Sequence, residues 1–213
     1  LTALGEMSAG IAHELRNPMA VVTGYLALLA KKQEDAGKKV IQDIMAEING
    51  MNRIIGDLLT FARPTPLNRT KVDLKDLLEG CIASLVQAKG KDPLVAVDLK
   101  LKASEMNLDE GLVRQAFSNL IQNAIESMPD GGNLSIGLRE NSRETSVRIQ
   151  DTGTGISQPT LKKIFLPFFT TKDKGVGMGL ALAHKIITSH GGRISVESRE
   201  GKGTTFLVTL PRG

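Results

Sequence analysis

The chain has 213 residues, of which 41% are hydrophobic and 3% are aromatic, and its formal net charge is +4. This composition is sufficient for a packed aliphatic core and excludes a disordered tail, while the scarcity of aromatic side chains and the small charge excess give no support to a nucleic-acid partner. The single cysteine, Cys81, excludes an internal disulfide, and no apolar stretch approaches the ~20 residues that cross a bilayer.

Two amphipathic helices are predicted at the start of the chain. Apolar residues recur at helical spacing over residues 4–32, and a second series steps by three and four residues over residues 41–62. The polar stretch Lys31–Lys39, which contains Gly37, is typical of the turn in an antiparallel hairpin. Because two helices leave much of each apolar seam uncovered, we expect two copies of the hairpin to form a four-helix bundle.

The second predicted helix ends at Arg63-Pro64-Thr65-Pro66, where two prolines remove backbone donors. We therefore expect a hairpin domain at residues 1–63, a linker at 64–70 and a second domain at 71–213. In that domain the patterns predict helices at 73–89, 109–128, 159–165 and 178–190, and strands at 94–101, 133–139, 145–150, 194–199 and 204–210. The order predicts an α+β chain whose second domain is an α/β sandwich, a mixed sheet with helices on one face.

His13 is the first candidate for chemistry, within His-Glu-Leu-Arg-Asn-Pro. Its helical position turns it away from the apolar seam, and an exposed imidazole oriented by a base is a competent nucleophile. Glu14 is adjacent, Asn17 lies one turn on, and Pro18 removes a backbone hydrogen bond beside them. A histidine that is merely solvated is the alternative.

The predicted helix 109–128 carries a polar face opposite its apolar stripe, formed by Gln115, Asn119, Asn123 and Glu126. Asparagine is disfavoured in the middle of a helix, so two asparagines one turn apart indicate a functional role. Carbonyl oxygens and a carboxylate are ligands suited to Mg²⁺ that bridges substrate phosphates. An ordinary solvated face is the alternative.

Asp151-Thr-Gly-Thr-Gly follows a predicted strand directly. Gly153 and Gly155 allow the backbone to approach a ligand, and Asp151 can accept a hydrogen bond from an amino group such as that of adenine. The same tripeptide Asp-Thr-Gly occurs in aspartic proteases, where two carboxylates share a proton. Only one such tripeptide is present, so a protease would need a dimer to supply the second.

A glycine-rich segment, Lys172–Leu180, opens the last predicted helix. Its glycines, Gly175, Gly177 and Gly179, precede a helix N-terminus, whose free N–H groups favour phosphate oxygens. It is neither a P-loop nor a dinucleotide fingerprint, and a merely flexible loop is the alternative.

Aromatic residues and a further turn flank this segment. Phe165, Phe168 and Phe169 lie just upstream, where they anchor a lid or pack in the core. Thr204, within Gly201–Thr205, belongs either to a hairpin turn or to a second phosphate contact.

Taken in order, these motifs closely resemble the catalytic core of a two-component sensor histidine kinase. The matching segments surround His13 (H box) and span Asn119–Ala124 (N box), Asp151–Gly155 (G1 box), Phe165–Phe169 (F box) and Gly175–Gly179 (G2 box). The resemblance covers essentially the whole chain. It implies a dimerisation and histidine-phosphotransfer hairpin, followed by an ATP-binding domain of the fold shared with Hsp90, gyrase and MutL.

The resemblance also implies roles for single residues. His13 is the expected phosphoacceptor, Glu14 its general base, and Asn17 the residue that orients water when a partner is dephosphorylated. In the second domain Asn123 is the expected Mg²⁺ ligand. The remaining expected nucleotide contacts are Asn119, Asp151, Gly153, Gly155, Lys172, Gly175, Gly177, Gly179, Leu180 and Thr204. Among these, Asp151 would bind the adenine amino group, Asn119 and Lys172 would lie near the phosphates, and the last glycines would hinge a lid.

The implied function is transfer of the ATP γ-phosphoryl group to His13 and then to an aspartate of a response regulator, with dephosphorylation of that regulator as a further expected activity. The implied partners are a second copy of the chain and the regulator's receiver domain, and the implied cofactors are ATP and Mg²⁺. Because Leu1 is not an initiator methionine, we expect a cytoplasmic fragment of a longer protein, which is compatible with a membrane-attached sensor. The alternatives are a non-catalytic scaffold gated by nucleotide and an ATPase of the same superfamily, for which Glu110 is the candidate carboxylate.

Overall fold

A computed structural model of the chain describes residues 19–29, 35–62, 66–88, 95–172 and 176–212. Contacts between Cα atoms divide the chain into two compact units, residues 1–65 and 66–213. This division falls inside the expected linker, while the domain limits at residues 63 and 70 stay predictions. The proposed catalytic residues His13, Glu14 and Asn17, and also Gly175, lie outside the described residues.

The first unit contains helix α1, described at residues 19–29, and helix α2, Asp35–Ala62. The second predicted helix is confirmed up to Ala62, while its predicted stop at Arg63-Pro64-Thr65-Pro66 falls partly on residues 63–65, which lie outside the described residues. The turn predicted over Lys31–Lys39 is wrong in its second half, because α2 begins at Asp35 and includes Gly37. Glycine is about 1 kcal/mol less favourable than alanine in a helix, a cost that is small for a helix of 28 residues.

Large apolar side chains of the first unit are exposed in a single copy. Along α2, Ile41 and Ile48 are buried, whereas Ile44 is 42% and Met51 is 51% exposed. The other exposed apolar residues described in this unit are Val21, Val22, Tyr25, Leu28, Leu29 and Val40. Because monomeric proteins rarely expose so much contiguous apolar surface, this unit has the character of an interface.

The second unit is an α/β sandwich. Its elements are β1 (Thr70–Asp73), α3 (Leu74–Ala88), β2 (Val95–Lys100), β3 (Glu105–Leu108), α4 (Glu110–Glu126), β4 (Gly132–Glu140), β5 (Glu144–Asp151), α5 (Gln158–Leu161), α6 (Gly179–Ser189), β6 (Arg193–Arg199) and β7 (Gly203–Pro211). The main sheet has the order β2-β4-β5-β7-β6, in which β2 and β4 are parallel and the other neighbours antiparallel. The predicted mixed sheet is therefore confirmed.

Three short elements differ from the prediction. Strands β1 and β3 pair antiparallel, from Thr70 with Leu108 to Asp73 with Glu105, and neither was predicted. Each has only four residues, a length at which even the alternation of Glu-Met-Asn-Leu in β3 does not single out a strand, and their pairing spans more than thirty positions of sequence. The helix predicted at 159–165 is reduced to α5, which ends at Leu161.

One face of the main sheet is covered by helices and forms the core. The buried apolar residues of β4, β5 and β7 stand at every second position of their strands and are Leu134, Ile136, Leu138, Val147, Ile149, Phe206, Val208 and Leu210. Helix α4 buries Phe117 and Leu120 with its apolar stripe and contacts α3, α6 and β5. Within the described ranges, no helix is both long and apolar enough to cross a bilayer.

A buried histidine joins the start of α4 to the end of α6. Asp109 caps α4 by accepting the N–H of Leu112 at 3.2 Å. The backbone N–H of Asp109 in turn donates to Nε2 of His190 at 3.1 Å, and Nδ1 of His190 lies 2.8 Å from the carbonyl of Ile186. Because Nε2 accepts, Nδ1 carries the proton. This tie fixes the position of α4, on which the polar face is carried.

Candidate functional site

The motifs of the second unit meet around the C-terminal half of α4. Asn119 Nδ2 donates to the carbonyl of Gly179 at 3.2 Å, which connects α4 to the first turn of α6. Lys172 reaches Asn123, and Ser127, which directly follows α4, reaches Asp151. Three segments that are far apart in sequence, residues 119–127, Asp151 and the stretch from Lys172 to Gly179, thus contribute to one site.

Asp151 is the buried carboxylate of this site, 2% exposed at the end of β5. Its Oδ1 accepts three hydrogen bonds, which come from Ser127 Oγ at 3.1 Å, Gly153 N–H at 2.9 Å and Thr204 N–H at 3.1 Å. Among the described residues these bonds all end on Oδ1, so Oδ2 is the oxygen that can accept from a ligand. These three neutral donors form a cage around Oδ1. The cage orients the carboxylate and leaves Oδ2 to accept a hydrogen bond from a ligand.

The loop after Asp151 needs its glycines because other backbone segments approach it closely. A Cβ on Gly153 would lie 2.1 Å from Ser127 Oγ, and a Cβ on Gly155, whose φ is +68°, would lie 2.2 Å from the carbonyl oxygen of Arg199. The N–H of Thr154 donates to Ser127 O at 3.0 Å. The loop is therefore pinned between the end of α4 and the β6–β7 turn.

The β6–β7 turn belongs to the Asp151 side of the site. Gly203 has a φ of +88°, and a Cβ there would lie 2.1 Å from the carbonyl oxygen of Asp151. Thr204 is buried, and its hydroxyl lies 3.0 Å from Ser198 Oγ. The structure shows the hairpin and places the N–H of Thr204 against Asp151, while a contact of Thr204 with a nucleotide stays a prediction.

A second cluster joins α4 to the residues after the F box. Nζ of Lys172 donates to Asn123 Oδ1 at 2.6 Å and to Glu126 Oε2 at 2.5 Å. Gln122 Nε2 donates to the other carboxylate oxygen of Glu126 at 2.7 Å. The ammonium of Lys172 thus contacts two oxygens, the carboxamide oxygen of Asn123 and a carboxylate oxygen of Glu126. Hard oxygens in this arrangement also fit Mg²⁺.

This cluster supplies few protein ligands for a metal. Within the described residues no group of three or more His, Cys, Asp or Glu side chains could hold an ion. A divalent ion at Asn123 would therefore complete its coordination with phosphate oxygens and water, as Mg²⁺ does in nucleotide sites.

Two glycines that the sequence treats alike differ in the structure. Gly177 has a φ of +70°, and a Cβ there would lie 2.5 Å from the carbonyl oxygen of Phe169. Gly179 begins α6, and a Cβ there would lie 3.5 Å from Asn119 Cγ, an ordinary contact. Leu180 is half-buried in the first turn of α6. Of these two residues, Gly177 is the one that must be glycine, because its backbone is in the left-handed region.

The N-terminus of α6 has the backbone donors that an anion needs. Its N-cap residue, Met178, makes no side-chain capping bond. The N–H groups of the first turn, beside Gly179 and Leu180, therefore face no side-chain acceptor from the cap.

The three phenylalanines of the F box have different surroundings. The ring of Phe165 packs on that of His184 of α6, with centroids 4.9 Å apart. Phe168 has a φ of +64° and is 61% exposed, so core packing does not account for it. Packing therefore accounts for the position of Phe165 but not for that of Phe168, and the lid stays a prediction.

Ser127 is the functional candidate that the sequence did not reveal. It contacts Asp151, Gly153 and Thr154, and its single hydroxyl proton is shared between Asp151 Oδ1 at 3.1 Å and the carbonyl of Ala124 at 2.8 Å. No local signal marks it, because it follows the polar face of α4 and lies 24 positions before Asp151.

Comparisons with known proteins support one family. The model described as histidine kinase-, DNA gyrase B-, and HSP90-like ATPase matches residues 108–213, and the His Kinase A (phospho-acceptor) domain model matches residues 3–67. Sensor histidine kinase ZraS from Escherichia coli (strain K12) is 35% identical over 99% of this chain and 46% of its own length. Among the most similar curated relatives, the chain spans between 29% and 50% of their own length.

Solved structures agree with these matches. The catalytic domain of histidine kinase ThkA is 30% identical with a TM-score of 0.62, over 68% of this chain and 96% of that domain. ThkA in complex with response regulator protein TrrA is 29% identical with a TM-score of 0.68, over 99% of this chain and 62% of that one.

Proposed function

This chain belongs to the histidine kinase family, and we propose that it is the catalytic core of a sensor kinase, which transfers the γ-phosphoryl group of ATP to His13 and from there to an aspartate of a response regulator. The observation that carries this proposal is the cage around Asp151. A buried carboxylate with one oxygen saturated by three neutral donors is built to accept from an amino group with the other.

ATP binding follows from the two sides of the site. Asp151 Oδ2 accepts from the adenine amino group, and the glycines at 153 and 155 let the loop after Asp151 pack closely on Ser127 and Arg199, which holds that carboxylate in place. The uncapped first turn of α6 faces the phosphates, with Asn119 fixing that turn through the carbonyl of Gly179. Lys172 supplies a positive charge from the segment before Gly177.

The proposed metal ligand is Asn123, through Oδ1. When bound there, Mg²⁺ neutralises charge on the β- and γ-phosphates. The protein's part is to hold the carboxamide oxygen at that position, which the α4 helix and its tie to α6 do.

Phosphoryl transfer then needs positioning more than covalent machinery. The unprotonated ring nitrogen of His13 attacks the γ-phosphorus, the bond from that phosphorus to the bridging oxygen breaks, and its electron pair leaves with ADP. Glu14 accepts the proton from the other ring nitrogen. The phosphoryl group next passes from His13 to a carboxylate oxygen of the regulator, and Asn17 orients water for hydrolysis of that product. We propose residues 64–70 as the hinge.

We further propose a homodimer through the first unit. Its support is the apolar surface that a single copy leaves exposed on α1 and α2, including Ile44 and Met51. A four-helix bundle would cover that surface. The response regulator is the proposed second partner, consistent with the ThkA–TrrA complex, and the cytoplasm, where ATP is available, is the proposed compartment.

The superfamily ATPase alternative has no support from its candidate carboxylate. Glu110 precedes Asn123 by thirteen helical residues, which corresponds to about 20 Å along the axis. Its carboxylate is engaged by Arg114 at 2.6 Å. Glu110 therefore lies at the opposite end of α4 from the proposed metal ligand.

The proposal is tested by incubating the chain with Mg²⁺ and γ-labelled ATP. We expect an acid-labile, base-stable label that is absent in His13→Gln, while His13→Gln still binds AMP-PNP like the wild type, because His13 and the nucleotide site lie in different units. Label that persists in His13→Gln contradicts the phosphoacceptor assignment. Steady ADP release without phosphoprotein contradicts the kinase proposal and supports an ATPase.

A further inference from the structure

The ammonium of Lys172 donates a hydrogen bond to Asn123 Oδ1, the same oxygen that the proposed function assigns to the metal. Nζ lies 2.6 Å from Asn123 Oδ1 and 2.5 Å from Glu126 Oε2. These partners lie 49 and 46 positions earlier in sequence, on one side of α4. The contact is therefore a tertiary one, made at the metal ligand itself.

The carboxylate of Glu126 is oriented toward this ammonium. Gln122, one turn earlier on α4, donates to Oε1 at 2.7 Å, which leaves Oε2 to face Lys172. On the other side, the backbone N–H of Lys172 donates to Thr170 Oγ1 at 3.1 Å. Gln122 thus orients the carboxylate of Glu126, and Thr170 holds the backbone at Lys172.

We propose that Lys172 is a tethered cation that occupies Asn123 Oδ1 in the ligand-free protein, and that Glu126 keeps it there. The inference rests on the proposed function, because that function assigns the metal to Asn123. An ammonium and a divalent ion repel each other at contact distance, so they do not share one carboxamide oxygen. Lys172 must leave Asn123 when the magnesium nucleotide binds.

The released ammonium has an alternative partner close by. Phosphate oxygens carry more charge than a carboxamide oxygen and form stronger charge-assisted hydrogen bonds with an ammonium. Lys172 therefore exchanges Asn123 for the phosphates, and Glu126 opposes this exchange. Glu126 is a positioning residue that lowers nucleotide affinity by acting through Lys172.

The experiment is a double-mutant cycle on the affinity for AMP-PNP with saturating Mg²⁺, measured by isothermal titration calorimetry for the wild type, Glu126→Gln, Lys172→Met and the double variant. We expect Glu126→Gln to raise the affinity for AMP-PNP at least threefold when Lys172 is present, and to have no effect on it in the Lys172→Met background. The matched control is Glu110→Gln, which removes an ion-paired carboxylate at the far end of the same helix and leaves the affinity unchanged.

Three outcomes would overturn the inference. A lower affinity in Glu126→Gln makes Glu126 a metal ligand. An unchanged affinity makes the pair an ordinary surface ion pair. An equal rise in both backgrounds reflects only the loss of a negative charge. Failure of the wild type to bind AMP-PNP would instead refute the proposed function, and thermal unfolding of each variant verifies that it is folded.

Discussion

The Asp151 side and the Lys172 side of the site are built in different ways. Asp151 is buried, and two of its three donors are backbone N–H groups of Gly153 and Thr204. Lys172 and Glu126 leave 40% and 37% of their side chains exposed and contact each other only through flexible chains. A rigid, buried end can select the shape of a base, while an exposed, charged end can exchange partners as phosphates arrive and leave.

The strongest test of this contrast removes the carboxylate at the rigid end. Asp151→Asn replaces one oxygen with an amide nitrogen, so the side chain loses either an acceptor for the backbone donors or the acceptor for adenine. A hydrogen bond to a charged group contributes about 1.5–3 kcal/mol, so AMP-PNP affinity should fall about 10- to 100-fold. Calorimetry measures this, with the exposed Asp130→Asn as control. Wild-type affinity in Asp151→Asn would contradict the assignment.

The two glycines before and at the start of α6 give a second test, of intermediate size. Gly177→Ala forces a side chain into a left-handed conformation and against the Phe169 carbonyl, which should cost about 1–3 kcal/mol of folding stability and weaken nucleotide binding. Gly179→Ala has room and should change stability by less than about 1 kcal/mol. Thermal unfolding and calorimetry compare them, and equal losses would contradict the structural distinction.

Ser127→Ala is expected to have the smallest effect. It removes one of the three donors to Asp151 Oδ1 but keeps both backbone donors. The loss of one neutral donor costs about 0.5–1.5 kcal/mol, which corresponds to a roughly 2- to 10-fold fall in AMP-PNP affinity. Ser189→Ala, whose hydroxyl bonds only α6 carbonyls among the described contacts, is the control. If both serine variants bind equally well, Ser127 does not orient Asp151.

Much of the fold was predictable because its signals are local. The amphipathic helices α2 and α4 and the β4–β5 and β6–β7 hairpins follow from periodicity and turn residues, each of which acts over a few residues. The β1–β3 pair escaped prediction because its two partners are short and far apart in sequence. The turn was predicted too long because a polar stretch with a glycine, Lys31–Lys39, is also compatible with a helix that packs along its later residues.

The same division holds in the site. Motif order identified Asn119, Asn123, Asp151 and the glycines as candidates, since each motif is a short stretch with recognisable residue types. It could not separate Gly177 from Gly179, since φ depends on what the backbone packs against. Nor could it pair Lys172 with Glu126 or assign Ser127 to Asp151, since those contacts join segments brought together only by folding.

By itself, the sequence determined which residues are apolar, where helices and hairpins end, and which polar groups are available for binding a nucleotide. The tertiary structure decided which of these groups touch: that Oδ1 of Asp151 is saturated while Oδ2 is available, that Gly203 approaches Asp151, and that an ammonium occupies the oxygen of Asn123. The physical reason is the distance along the chain over which each effect acts. Periodicity and backbone preference act between near neighbours, whereas hydrogen-bond saturation and charge pairing depend on distances in space.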